Sequence, residues 1–283
     1  MEKALASVRE IEREVAALRI APGSDVPFQR TSVMTHTAWV PPEWVEAAED
    51  VLSGLAERHP SRTIVLVPEP EREDGLEARV DVEVFPSGEG RQICAEKIRI
   101  HLKGSRASAP ASVVQPLFLP DLPAFLRWRG VPSFGSDSFE SLVGVVDRLI
   151  VDSTEWPELP ENYAQLAKVF ERVVVSDIAW ARTSRWRRQL ASLWPDIGNV
   201  ERIRVTGTAP QAQLLAGWLR SRLDHPVELE HEPADLLEAV EIDGKPAPFP
   251  PGDPPLPSDL LSEQLDRFER DRIYEEAVRS AAE

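Results

Sequence analysis

The run Thr63-Ile64-Val65-Leu66-Val67 has no polar residue after its first position. A strand with no wet face must be covered on both sides, so helices have to lie above and below the sheet that contains it. Two later runs behave differently. Val80, Val82 and Val84 alternate with Arg79, Asp81 and Glu83, and Ile98, Ile100 and Leu102 alternate with Lys97, Arg99 and His101. Each predicts one covered face and one wet face, and the intervening Ser87-Gly88-Glu89-Gly90 predicts an antiparallel hairpin.

The rest of the chain alternates helix and strand around this frame. Leu5, Val8, Ile11, Val15 and Leu18 predict an amphipathic helix over residues 2 to 20, and the Thr, Val and Trp content of Arg30 to Val40 predicts a strand. Pro42 suits a first helical turn, followed by an apolar stripe at Trp44, Ala48, Val51 and Leu55. From Ser112 the pattern gives strands at 117–119, 124–128 and 149–151, with a helix near 139–146. Beyond Pro157 and Pro160 it gives helices at 163–170, 184–194 and 210–223 and strands at 173–175, 203–205 and 227–229.

The expected fold class is α/β, as two mixed three-layer domains: an N-terminal domain over 1–157, holding the hairpin, and a C-terminal domain over 158–245. Residues 246–283 form a proline-rich connector and a terminal helix near Ser258 to Ala281, with a thin stripe of Leu261, Leu265, Phe268, Ile273 and Ala277. Such a helix either lies over the domain or reaches a partner subunit.

Charge narrows the function. The 283 residues carry a formal net charge of -16, which opposes binding to nucleic-acid phosphates and to anionic membranes. No signal-peptide core and no run of about 18 apolar residues is present, so the expected location is cytoplasmic. Cys94, the only cysteine, reads as a buried thiol in the strand Gln92 to Leu102. The histidines at 36, 59, 101, 225 and 231 have no ligand spacing, although His225 and His231 could share a strand face, so no metal is expected. No cofactor is expected either. Gly88-Glu89-Gly90 leads into no helix, no phosphate-binding Gly-rich loop exists, and Gly135-Ser136 lacks the glycines of a nucleophile elbow.

Three sets of residues could carry function. Asp121, Asp147, Asp152 and Asp177 border strands, where α/β enzymes place carboxylates, but structural caps and interface pairs use the same positions. Thr206-Gly207-Thr208 joins a strand to a helix and could take an anion on free amides, or could simply cap the helix. Trp180 to Arg188 is the densest positive segment, with Trp180, Arg182, Trp186, Arg187 and Arg188. Trp and Arg dominate binding hot spots, yet Trp180 and Trp186 also suit core anchors and Arg187 and Arg188 a solvated face.

One order of motifs runs through these segments. It comprises Arg30-Thr31-Ser32, His59-Pro60-Ser61-Arg62, Leu119-Pro120-Asp121-Leu122-Pro123, Trp128-Arg129-Gly130, Asp147-Arg148 and Ser176-Asp177-Ile178-Ala179-Trp180-Ala181-Arg182. In this order, from about residue 25 to 245, the chain resembles the OpcA-type glucose-6-phosphate dehydrogenase assembly proteins. The resemblance implies a non-catalytic partner of glucose-6-phosphate dehydrogenase that promotes or maintains its active oligomer. The candidate partner-binding residues are Arg30, His59, Ser61, Arg62, Asp121, Trp128, Arg129, Asp177, Trp180, Arg182, Trp186, Arg187 and Arg188. The rival reading is a small α/β enzyme or sensor that holds a sugar phosphate at the strand ends and the Thr206–Thr208 loop.

Overall fold

A computed structural model describes residues 5–18, 32–53, 55, 58–87 and 91–283, and its contacts divide the chain into two compact units, Met1–Ile150 and Val151–Glu283. The first unit runs α1 (Val8–Leu18), β1 (Thr35–Trp39), α2 (Val45–Ser53), β2 (Arg62–Glu69), β3 (Gly75–Ser87), β4 (Arg91–Lys103), α3 (Ala111–Val114), β5 (Ala124–Trp128), α4 (Asp137–Val143) and β6 (Arg148–Val151). Its strands lie in the order β3-β4-β2-β1-β5-β6. All neighbours are parallel except β3 and β4, which form the expected antiparallel hairpin.

Ile64, Val65, Leu66 and Val67 of β2 are fully buried, as their unbroken apolar run requires. On one side α2 closes over Ala38, Val40, Val65 and Val67 with Ala48, Trp44, Val45 and Leu52. The polar side of β4 was expected to be wet, but Lys97 and Arg99 instead pair with Glu49 of α2. The ion pairs let a charged strand face lie beneath a helix. All of β1 is buried, Thr35, His36 and Thr37 included, because β2 and β5 flank it. Burial, reinforced by Arg127 and His59, drives the His36 pKa down to about 4, so the ring is neutral at pH 7. The hairpin tip at 88–90 and Arg30 lie outside the described residues, as does the burial of Cys94, which stands in β4 opposite Val84.

The second unit runs α5 (Glu161–Ala167), β7 (Val174–Asp177), α6 (Ile178–Arg182), α7 (Ser184–Ala191), β8 (Arg202–Gly207), α8 (Ala209–Leu223), β9 (Glu228–Pro233), β10 (Ala239–Ile242), β11 (Lys245–Pro246), α9 (Pro257–Leu265) and α10 (Arg272–Ala281). A four-stranded sheet has the order β11-β10-β8-β9. One face packs Ile203, Val205 and Val240 against Leu215 and Leu219 of α8 and Trp186 of α7. The opposite face carries the ion pairs Arg202–Glu228 (3.0 Å) and Arg204–Glu230 (2.7 Å). The sequence reading missed β10 and β11. Their signal was Asp243-Gly244, both at positive φ between Ile242 and Lys245, which is the favoured chemistry of a two-residue hairpin turn. His225 precedes β9, so only His231 belongs to that strand.

The terminal helix expected at 258–281 is broken into α9 and α10 around 266–271. Asp271 restarts it as an N-cap, accepting from the Tyr274 N–H at 3.0 Å. The break turns Phe268 and Ile273 out of the apolar stripe, and both are exposed. Helix α10 packs on α8, burying Tyr274, Ala277, Val278 and Ala281, so it lies over its own unit. The connector is also pinned. Arg185 donates to the carbonyls of Pro250 (2.8 Å), Pro251 (2.9 Å) and Gly252, while Phe249 meets the Trp186 ring edge-on at 5.6 Å.

Gly217 sets the α8–α10 spacing. A Cβ there would come within 2.2 Å of the Ala277 carbonyl oxygen and 3.0 Å of the Ala281 Cβ. Gly217→Ala should therefore destabilise the second unit by about 1–2 kcal/mol, since an overpacking cost of about 1–3 kcal/mol exceeds alanine's helix-propensity gain of up to about 1 kcal/mol. Urea unfolding measures the loss, and hydrogen exchange should show faster exchange of the α10 amides.

Candidate functional site

The aspartate at the end of β7 lies at a buried polar centre of the second unit. Asp177 ends β7 and caps α6, accepting from the Ala179 N–H at 2.9 Å. It also accepts from the Ser153 N–H (3.0 Å), the Ser153 hydroxyl (2.7 Å) and the Tyr274 hydroxyl (3.4 Å). The Ser153 hydroxyl lies 3.0 Å from the Tyr163 hydroxyl. Ser153, Tyr163, Asp177 and Tyr274 are all essentially inaccessible to solvent. Burial, and then the charge of Asp152, push the Asp177 carboxyl up to about 6, against the pull of the Ser153 and Ala179 donors. The same burial, with Asp177 close by, raises both tyrosine hydroxyls well above their usual range. Such a centre can hold a proton and join three chain segments, but its reactive atoms face one another.

Asp152 closes a second polar group. One Arg182 nitrogen donates to both its carboxylate oxygens, at 2.8 and 2.9 Å, and to the Thr154 hydroxyl at 3.2 Å. Trp180 and Trp186 are buried, as core anchors would be. The Trp180 indole N–H donates to Asp271 at 2.9 Å, and the Trp186 N–H to the Leu237 carbonyl at 3.3 Å. Between them the backbone turns at Thr183, which separates α6 from α7, so the two rings serve different parts of the unit. The arginines point elsewhere. Arg187 lies over the Trp180 ring, 3.4 Å from its centroid, with its Nε on the Thr183 hydroxyl at 3.0 Å, and Arg188 is exposed.

In the first unit the shared motifs are mainly scaffold. His59 and Ser61 are buried where the chain enters β2. Arg62 is buried against Glu96 (2.7 Å) and the Leu117 carbonyl (2.6 Å). In the Leu-Pro-Asp-Leu-Pro segment, the Leu119 N–H donates to the Thr35 hydroxyl at 3.0 Å and the Pro123 carbonyl accepts from the Thr35 N–H at 2.9 Å, which aligns β5 beside β1. Asp121 is exposed at the tip with φ 62. Asp147 accepts from the Ala124 N–H at 2.8 Å. Trp128 stacks on Trp39 with centroids 4.8 Å apart, and Arg129 lies 4.9 Å from the Trp44 ring centroid.

The Thr206–Thr208 loop is filled from within. The Gln211 side chain accepts from the Thr208 N–H at 3.2 Å, Thr206 donates to Glu232 at 3.1 Å, and a Cβ on Gly207 would meet Leu237 at 3.1 Å. Among the described residues no group of three or more His, Cys, Asp or Glu side chains is placed to hold a metal, and no helix is long and apolar enough to cross a membrane. The candidate residues thus fall into separate places: a buried centre at Asp177, the α6–α7 segment, and the scaffold of the first sheet. The sequence reading missed Ser153, Tyr163, Asp271 and Tyr274 as partners. Only Asp271, an aspartate three residues before Tyr274 at a helix start, left a sequence signal, that of an N-cap.

The Asp177 centre makes stability depend on pH with a defined sign. A carboxyl raised from 3.8 to about 6 in the folded state binds its proton more tightly there, so its contribution is fully present below pH 4 and is lost as pH rises through 6. The difference in unfolding free energy between the wild type and Asp177→Asn should therefore increase in favour of the wild type by up to about 3 kcal/mol between pH 7 and pH 4. Parallel urea titrations of the two proteins measure it. A pH-independent difference would show that Asp177 titrates normally.

Two family models match the chain in succession. One, described as glucose-6-phosphate dehydrogenase subunit N-terminal domain, matches residues 53–168, and the other, the corresponding C-terminal domain, matches residues 173–248. The OxPP cycle protein OpcA of Nostoc punctiforme is 26% identical over 194 residues, covering 64% of this chain and 42% of that protein. OpcA of Synechocystis is 26% identical over 192 residues, covering 63% and 40%. The chain thus spans about two fifths of the length of these relatives. Among solved structures, the WlbA (WbpB) dehydrogenase of Thermus thermophilus, in complex with NAD and alpha-ketoglutarate, aligns with a TM-score of 0.49 and 11% identity over 88% of this chain and 94% of that one. A likeness of that degree says nothing about cofactor or activity. The paired domain matches, which take in the motifs from His59 to Arg182 in order, establish that the chain belongs to the OpcA family.

Proposed function

We propose that this chain is a non-catalytic, cytoplasmic protein that binds glucose-6-phosphate dehydrogenase and promotes its oligomeric assembly and activation. In that role it would raise NADPH supply through the oxidative pentose phosphate pathway. The observation that carries the reading is the succession of the two matched domains, both described as parts of a glucose-6-phosphate dehydrogenase subunit. The use made of the strand-end aspartates supports it. Asp147, Asp152 and Asp177 accept backbone, hydroxyl and guanidinium donors within the chain, as structural carboxylates do. The rival sugar-phosphate reading has less support, because Gln211 and Leu237 occupy the loop it needs.

The action is selective affinity. A binding protein shifts an assembly equilibrium only by preferring one conformation or oligomer of its partner, and the shift is limited by that preference. Among the described residues, the accessible members of the predicted set are Asp121 and the partly exposed Arg129 in the first unit, and Arg188 with the partly exposed Arg182 and Arg187 in the second, and each unit by itself presents a candidate surface. The buried Trp128, Trp180 and Trp186 would act by holding those groups in place.

Titrating the chain into glucose-6-phosphate dehydrogenase from the same cell should shift the enzyme to larger sedimenting species and raise its rate. The chain alone should reduce neither NAD nor NADP in the presence of glucose 6-phosphate. An unchanged sedimentation profile and rate would overturn the binding reading. Turnover by the chain freed of dehydrogenase would overturn the non-catalytic one.

A further inference from the structure

Helix α7 and its C-cap carry Arg185, Arg188, Gln189 and Ser192, at the three- and four-residue spacing that puts side chains on one helix face. The connector runs beside this face. Its Pro250 and Pro251 form the other wall of an open groove of about 200 Å³, lined by those six residues. Arg185 holds the wall in place. Its Nε and Nη2 donate to the carbonyls of Pro250 (2.8 Å), Pro251 (2.9 Å) and Gly252, which leaves Nη1 without a partner among the described residues. Arg188 donates only through Nε, to the Ser184 carbonyl at 3.4 Å, so both of its terminal nitrogens are unpartnered among those residues. Other exposed arginines of the second unit have glutamates: Arg202 has Glu228, Arg204 has Glu230 and Arg222 has Glu276. Here two guanidinium groups line one groove, and no carboxylate lines it with them. The residue that precedes the proline wall, Phe249, sets its ring edge-on to Trp186 and is 65% exposed.

We infer that the groove between α7 and the proline connector docks a short acidic segment of a partner protein, with a carboxylate on the unpartnered nitrogens of Arg185 and Arg188. The inference rests on the proposed function, with the dehydrogenase as that partner. Charge complementarity selects the occupant. Guanidinium groups bind carboxylates through short charge-assisted bonds, and a groove without acids of its own opposes them with no like charge. Size separates a peptide from a metabolite. A volume of about 200 Å³ lies below the roughly 300–1,000 Å³ of small-molecule pockets, so the groove takes a side chain or two of a segment that continues beyond it. The prolines and Phe249 offer apolar surface to a residue flanking the carboxylate, and arginine beside an aromatic is a composition enriched in interfaces. Because Arg185 is already fixed by three backbone carbonyls, little ordering of this wall opposes binding.

The test compares wild type, Arg188→Glu, Arg188→Gln and Phe249→Ser, each as the full chain, in binding to the intact dehydrogenase at low and high salt. Circular dichroism and thermal midpoint serve as fold controls. Arg188→Glu should bind about thirtyfold more weakly, with Arg188→Gln and Phe249→Ser each several-fold weaker than wild type. Salt should weaken the wild type more than Arg188→Glu, because screening acts on a charge match that the variant has lost. Wild-type affinity in the folded Arg188 variants would overturn the docking groove and leave the proposed function intact, whereas failure of the wild type to bind would overturn both. Two further arms identify other occupants. Sedimentation of the chain alone reports a second copy in the groove, and calorimetry with inorganic phosphate and with glucose 6-phosphate reports a small anion. Self-association or anion binding that is lost in Arg188→Glu, with dehydrogenase affinity unchanged, would overturn the acidic-segment reading.

Discussion

The second unit depends on one buried carboxylate. Asp177 gathers the backbone and hydroxyl of Ser153, the first turn of α6 and the hydroxyl of Tyr274 on α10. A carboxylate can accept several donors at once, so it can join segments that no single side-chain pair could hold. The cost is desolvation, visible as the raised pKa. Because the donors come from separate parts of the chain, removing the acceptor would leave each of them unsatisfied in the interior.

That anchoring determines what remains available outside. Tyr274 and Asp271 fix the start of α10, Gly217 lets α10 approach α8, and the end of the α9–α10 turn meets α6 where the Trp180 N–H donates to Asp271. Trp180 is held from below by Asp271 and covered from above by Arg187. The same indole thus joins the buried network to the charged surface. The first unit solves a different problem in a similar way. Arg62 with Glu96, and Lys97 and Arg99 with Glu49, place charged strand residues where the covering elements would otherwise demand apolar ones.

Membership of the OpcA family agrees with this division of labour. Most of the motif residues that carry the family likeness are scaffold: they pair strands, cap α6 or fill the core. His59, Ser61, Arg62, Trp128, Asp177 and Trp180 are all buried. Motif residues can therefore identify a fold without forming its contact surface.

The sequence by itself determined whatever depends on local pattern. The unbroken apolar run of β2 required a covered strand, and the alternation in β3 and β4 required a hairpin. It also fixed the charge imbalance that makes the α7 arginines conspicuous. Only the tertiary structure decided which of two equally good local readings applied. Asp177 could have been a surface acid or a cap, and became the buried acceptor because Tyr274, distant in sequence, lies against it. The Thr206–Thr208 loop could have taken an anion, but Leu237 and Gln211 fill it. The stripe at Phe268 and Ile273 looked continuous, but the break capped at Asp271 turned both outward. Local sequence sets the conformations a segment can adopt at low cost. The partner of a buried polar group, and the side that a helix shows to water, are fixed by packing against residues far away in the chain.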